Sequence, residues 1–227
     1  MTTWLFDLGN TRVKFARLRR AGTPGESVAI AHGDDPAWLA QLPEGEVACI
    51  ASVSGAHGAR LHRVRTEARL GGLQLAYATP AHLGVDRFLA LLARVGDGAA
   101  LVVGVGTALT IDLLDAGGRH HGGRIAPSPQ LMREALHARA PQLPGEGGAY
   151  ATFADDTAPA LASGCEGAAL ALVTSSLEAA RGLLGEAPRL LLHGGGADAL
   201  RGRLPAHVFE PDLVLRGLAR WHALRIA

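Results

Sequence analysis

The sequence predicts an α/β fold built in two halves, and three observations predict it. Apolar runs of strand length alternate with longer stretches of helical period along the whole chain. Two of those strands, ending near Asp7 and Val105, run into short polar turns containing glycine and threonine and return as strands, so each half opens with a β-hairpin. At 227 residues and 48% hydrophobic content, the chain can bury a full core in one large domain or two small ones. The halves are expected at residues 1–98 and 99–227.

In the first half, residues 4–7 and 13–18 form the hairpin, with Gly9-Asn10-Thr11 as its turn. Residues 28–31 give a third strand, and the unbroken apolar run 47–53 has the character of a strand buried on both faces. Residues 59–70 carry their arginines on one side and predict a helix, followed by a strand at 73–77. Gly84-Val85-Asp86-Arg87 then opens a helix over 88–95.

The second half begins as the first did. Residues 101–105 are an apolar strand, Gly106-Thr107-Ala108 a polar turn and 109–114 a returning strand, so the two hairpins look like a duplication. A strand near 120–125, helices over 131–138 and 158–184, and a strand at 189–192 follow. The chain closes with the glycine run 194–196, a short strand near Val208 and a last helix from Pro211.

Composition excludes several function classes. The formal net charge is +1 and the arginines are scattered, so no nucleic-acid footprint or polybasic membrane patch is expected. Aromatic residues make up 4%, too few for a base-stacking surface. The chain enters a strand at Trp4 without a leader pattern, and no run of about 18 apolar residues occurs, so a cytoplasmic protein is expected. Cys49 and Cys165 read as buried thiols without metal or redox spacing. His120-His121 is expected at the surface, because strand neighbours point to opposite faces and make a poor metal site.

Of the 22 basic residues only Lys14 is a lysine. In an arginine-rich chain, a retained lysine suggests a role for a compact ammonium, such as reaching into a crowded phosphate site. Its hairpin supports that role. Gly9 lets a ligand approach the backbone, Thr11 offers a hydroxyl, and the turn amides can form an anion-binding concavity. Asp7 is positioned either to hold magnesium, directly or through water, or to accept bonds from the turn amides.

The segment Asp7-Leu8-Gly9-Asn10-Thr11-Arg12-Val13-Lys14, the tetrad Gly84-Val85-Asp86-Arg87, and Gly106-Thr107-Ala108-Leu109-Thr110-Ile111-Asp112 are similar, in order and spacing, to the three main motifs of type III pantothenate kinase. Gly122-Gly123-Arg124-Ile125-Ala126-Pro127, the segment from Asp156 to Gly164, and segments beginning at Leu192 and Asp212 add to the resemblance, which spans the chain. It implies the sugar kinase, heat-shock ATPase and actin superfamily, with two duplicated ribonuclease-H-like halves around a nucleotide cleft. It also implies a reaction: ATP with Mg2+ phosphorylates the primary hydroxyl of pantothenate, the first step of coenzyme A biosynthesis.

By the same resemblance, ATP is bound by Asp7, Leu8, Gly9, Asn10, Thr11, Arg12, Val13, Lys14, Gly106 and Thr107, with Asp7 at the metal. Asp86 is implied as the general base. Pantothenate is implied at Gly84, Val85, Asp86, Arg87 and Thr157, the threonine reaching it across a homodimer interface. Tyr77 is a candidate for the same pocket or an ordinary strand tyrosine, and residues 194–196 fit a place where adenosine approaches backbone. Many members carry an aspartate that helps hold K+ or NH4+ where this chain has Gly104. Two other classes stand beside this reading: another small-molecule kinase or phosphohydrolase of the superfamily, and a non-catalytic regulatory accessory factor.

Overall fold

A computed structural model describes residues 3–9, 12–31, 47–52 and 61–226. Asn10, Thr11, Val53 and the first two positions of the expected 59–70 helix lie outside them. The chain divides into two compact units. The first comprises Met1–Asp97, Ala116–His120 and Asp212–Ala227, and the second Gly98–Asp115 and His121–Pro211.

In the first unit, β1 (Thr3–Leu8) pairs antiparallel with β2 (Arg12–Leu18), which pairs antiparallel with β3 (Pro24–Ala31). On its other side β1 runs parallel to β4 (Val47–Ser52), and β4 runs parallel to β5 (Leu61–Arg63). The sheet order is therefore β3-β2-β1-β4-β5. Alternation sorts the hairpin side chains. Phe6, Leu8, Val13 and Phe15 form one apolar cluster with Trp4 and Ile30, while Leu5, Asp7, Lys14 and Ala16 take the opposite face.

That opposite face is met by α5 (Leu213–Arg225), which packs against α1 (Val85–Arg94). The two helices touch closely because Gly217 has no side chain: a Cβ there would run into the backbone of Leu89. Leu213, Leu215, Leu218 and Trp221 are buried along α5, and Arg220 donates to the carbonyls of Val95 (2.6 Å) and Gly71 (3.2 Å). These contacts correct the expected half 99–227: its closing helix belongs with the first unit.

The helix expected over 59–70 is also corrected. Its described residues form β5 and then β6 (Arg69–Leu70), because pairing with β4 takes precedence over local helical pattern. The strand expected at 73–77 stops early, as β7 (Leu73–Gln74), which turns back on β6 through Gly71 and Gly72, both left-handed at φ +54° and +91°. Tyr77 lies beyond it in irregular chain.

The second unit repeats the strand order. Here β8 (Ala100–Val105), buried at every position, lies antiparallel to β9 (Ala108–Leu114) and parallel to β11 (Arg189–His193), which is parallel to β12 (Val208–Phe209). With β10 (His120–Pro127) at the edge, the order is β10-β9-β8-β11-β12. The helices are α2 (Pro129–Arg139), α3 (Thr157–Leu184) and the short α4 (Asp198–Arg201). Ser128 caps α2 by accepting from the Leu131 amide, and Gly185, at φ +72°, ends α3.

By length and mean hydropathy, 1.3, α3 is the one helix among the described residues that could cross a membrane. Its Ala169, Val173, Leu177 and Ala180 instead join Leu101, Val103 and Ile111 of the sheet in the core of this unit, which is what a core helix does. Cys165 is a buried free thiol, as expected, and Cys49 lies in β4.

Candidate active site

The first hairpin places an acid opposite a base. Asp7 of β1 and Lys14 of β2 are register partners, so their side chains leave the same face of the sheet. Gly9 closes the near side of the turn, its amide donating to the Arg12 carbonyl at 3.0 Å. Leu8 and Val13 point into the apolar cluster, which leaves only their backbone for a ligand, and Arg12 is exposed.

Two further residues, to which the sequence assigned no site role, anchor Lys14, one directly and one through the other. Its ammonium lies 2.8 Å from Oδ1 of Asp212, at the start of α5. The same oxygen accepts from the Ser27 hydroxyl of β3 at 2.7 Å. Ser27 and Asp212 are 185 positions apart, so no local pattern links them.

Asp86 joins this group from the first turn of α1, where the helix dipole favours a negative charge. Its carboxylate folds back over Gly84, where a Cβ would lie 2.5 Å from Oδ1, so the glycine makes room for the acid. Burial first, and the Asp86 charge second, push the Asp7 carboxyl up to about 7 against the lowering pull of Lys14. Arg87 is 4% exposed and donates to the Tyr77 hydroxyl at 3.4 Å, its guanidinium 5.9 Å from the ring centroid. The Tyr77 ring is stacked on His120, so the expectation of a surface His120 is corrected: it is fully buried, while His121 pairs with Asp115 at 2.8 Å.

In the second unit, Gly106 and Thr107 form the tip of the β8–β9 hairpin, where Gly106 donates to the Ala108 carbonyl and that of Thr107 accepts from Ser128. Gly194, at φ +95°, lies against the Val105 backbone, and the Gly196 amide donates to the Val105 carbonyl at 2.9 Å. Gly106, Gly195 and Gly196 thereby line one cavity of about 310 Å³ with Arg133, Glu166 and Asp198. Thr157 does not line it. It is the exposed first residue of α3, its amide held by Asp156 at 2.6 Å.

Gly104 faces a filled space. A Cβ there would meet Thr110 Oγ1 at 2.7 Å and the His193 ring at 2.9 Å. An acidic side chain at this position, of the kind that would hold a monovalent cation, would have to displace the Thr110 hydroxyl and the His193 ring.

The family model for type III pantothenate kinase matches residues 40–179. The chain belongs to the type III pantothenate kinase family. A type III pantothenate kinase of Stenotrophomonas maltophilia strain R551-3 is 54% identical over 97% of both chains. One of Xanthomonas campestris pv. campestris strain B100 is likewise 54% identical over 97% of both. Among solved structures, a Baf family protein of Campylobacter jejuni, described as a transcriptional activator, superposes with TM-score 0.65 at 18% identity, covering 97% of each chain. The activator of 2-hydroxyisocaproyl-CoA dehydratase from Clostridium difficile, solved with ADPNP, gives TM-score 0.58 at 12% identity, over 97% of this chain and 94% of that one. At such identities these structures show that the fold is shared.

The matched span of the pantothenate kinase model contains Tyr77, the Gly84 tetrad, Gly106, Thr107 and Thr157. The first hairpin falls outside it but within the full-length likeness to the relatives.

Proposed function

We propose that this type III pantothenate kinase transfers the γ-phosphoryl group of ATP to the primary hydroxyl of pantothenate, supplying 4'-phosphopantothenate for coenzyme A synthesis. The observation that carries the reading is that Asp86, from the Gly-Val-Asp-Arg tetrad within the matched span, lies in the same unit as Asp7 and Lys14, which face one another across the first hairpin. An acid suited to the acceptor hydroxyl and an acid suited to the nucleotide's metal thus meet in one unit.

Two carboxylates that repel one another suit a divalent cation, and oxygen donors suit magnesium. Among the described residues no group of three or more His, Cys, Asp or Glu could hold a metal. Magnesium commonly takes one or two carboxylates and leaves its other positions to phosphates and water. Asp7 would hold it, and when bound it would neutralise charge on the phosphates. Gly104, covered by His193 and Thr110, does not fit a monovalent-cation site, and no step here uses one.

The roles of the chain's own groups follow from a loose transfer, in which positioning and charge matter more than covalent help. The backbone from Leu8 to Val13, with Asn10 and Thr11, cradles the phosphates, and Lys14 is directed at them by Asp212. Gly106 and Thr107 contribute a second phosphate loop, and the cavity behind Gly106 suits the nucleoside. Asp86 accepts the hydroxyl proton as the oxygen attacks. Gly84 and Val85 shape its turn, Arg87 with Tyr77 takes the carboxylate of pantothenate, and Thr157 completes the pocket of a partner protomer.

A cytoplasmic homodimer is part of the proposal. Phe153 (96% exposed), Ile125 and Leu183 are large apolar side chains of the second unit left on the surface. Coupled ADP release with ATP, magnesium and pantothenate, run in sodium, potassium and ammonium buffers, tests the function. Turnover in any buffer supports the kinase, whereas turnover only with other acceptors moves the reading to a different kinase of the superfamily.

A further inference from the structure

We infer that His120 is a positioning residue for the acceptor's carboxylate, acting through Tyr77 on Arg87; the inference rests on Arg87 as the carboxylate-binding group. The three side chains form a pile. The imidazole of His120 and the Tyr77 ring stack with centroids 5.9 Å apart and planes 23° from parallel. Arg87 lies with its guanidinium 5.9 Å from the centroid of that ring and donates to its hydroxyl at 3.4 Å.

The backbone explains why His120 is needed there. Tyr77 follows β7 in chain that belongs to no helix or strand, so local structure does not fix its ring. The segment Ala116–His120 is clamped to the other side: the Gln74 amide donates to the Gly118 carbonyl at 2.9 Å, and Gln74 bridges to Arg119. Gly118, at φ +84°, lies so close to Gly72 that a Cβ would strike its carbonyl. This seam delivers a fully buried flat ring against the tyrosine. A planar backing restricts Tyr77 to one tilt, and through its hydroxyl the tilt of the guanidinium, on which two-pronged recognition of a carboxylate depends.

The test compares two acceptors, pantothenate and a neutral amide of it that keeps the hydroxyl but lacks the carboxylate. Arg87→Gln should raise KM for the acid and leave that for the amide nearly unchanged. His120→Leu, which keeps bulk but not the plane, should raise KM for the acid about tenfold while kcat and KM for ATP stay within about twofold, and should spare the amide. His120→Phe should restore most of the loss. If His120→Leu fails to fold, His120→Met, an unbranched side chain without a plane, probes the stack by the same ratio of acid to amide KM. Discrimination by Arg87→Gln without discrimination by the stack variants overturns the His120 proposal alone. Equal effects on both acceptors in every variant overturn the carboxylate reading together with it.

Discussion

The ammonium of Lys14 lies 2.8 Å from the carboxylate of Asp212, and so the single lysine of the chain is tied to the first turn region of its last helix. Both side chains are partly exposed, at 26% and 34%, so the pair contributes little to stability and more to direction. Lys14→Arg keeps the charge but brings a planar fork to a place shaped for a point charge, and kcat/KM for ATP should fall at least about tenfold. Asp212→Asn should raise KM for ATP about three- to tenfold with kcat largely kept. Steady-state kinetics of the two variants and their double mutant check this; independent, additive losses would mean that Asp212 does not act through Lys14.

Asp86 and Gly84 should fail in different ways. Asp86→Asn removes the proton acceptor, and kcat should fall about 10²- to 10⁴-fold while both substrates still bind. Gly84→Ala leaves the acid in place but sets a methyl 2.5 Å from where its Oδ1 now lies, so the carboxylate must shift. A displacement of that size should cost about 100-fold in turnover with a near-normal melting temperature. Calorimetric titration with each substrate, beside the rates, separates lost chemistry from lost binding.

The raised pKa of Asp7 makes a signed pH prediction. The unfolded carboxyl titrates near 3.8 and the folded one near 7, so between these values the folded state holds the extra proton. Its contribution to stability is complete below about 3.8 and is lost as pH rises through about 7. Asp7→Asn should therefore flatten the fall of melting temperature over that window. Because magnesium needs the ionised carboxylate, affinity for magnesium-ATP should rise with pH through the same range in the unmodified protein, and Asp86→Asn should move the midpoint lower. Melting curves and nucleotide titrations at pH 5 to 8 give both readouts.

How far the sequence could be read depended on distance along the chain. The hairpins, β8, α1 and α3 were legible because strand alternation, helical period and turn residues are local signals. The 59–70 segment was not, since its arginine face mimics a helix while β4 offers it a sheet edge. Asp7, Lys14, Gly84 and Asp86 were legible as motif residues, but Asp212, which pairs with the lysine, and Ser27, which donates to Asp212, come together only in the folded unit. His120 was misplaced for a similar reason: alternation says that one of two adjacent histidines turns inward, and only the seam with Gln74 says which neighbour it meets.

Gly104 supports a prediction about both packing and ions. Its missing side chain is matched by Thr110 and His193, whose atoms lie 2.7 and 2.9 Å from where a Cβ would stand, and on β8 the strand is buried on all sides. Gly104→Asp should therefore not build a cation site by itself. It forces the imidazole and the hydroxyl apart and buries a charge, and should destabilise the protein by about 1–3 kcal/mol, seen as a lower melting temperature. The unmodified enzyme should turn over at rates within about twofold in sodium, potassium and ammonium buffers, because no carboxylate at this position distinguishes the ions. A strict requirement for potassium or ammonium would mean that carbonyls and water around the second hairpin form the site without an acid. Combining Gly104→Asp with His193→Ala, which vacates the space, should then recover stability relative to Gly104→Asp alone if the collision with the ring is the cause of the loss.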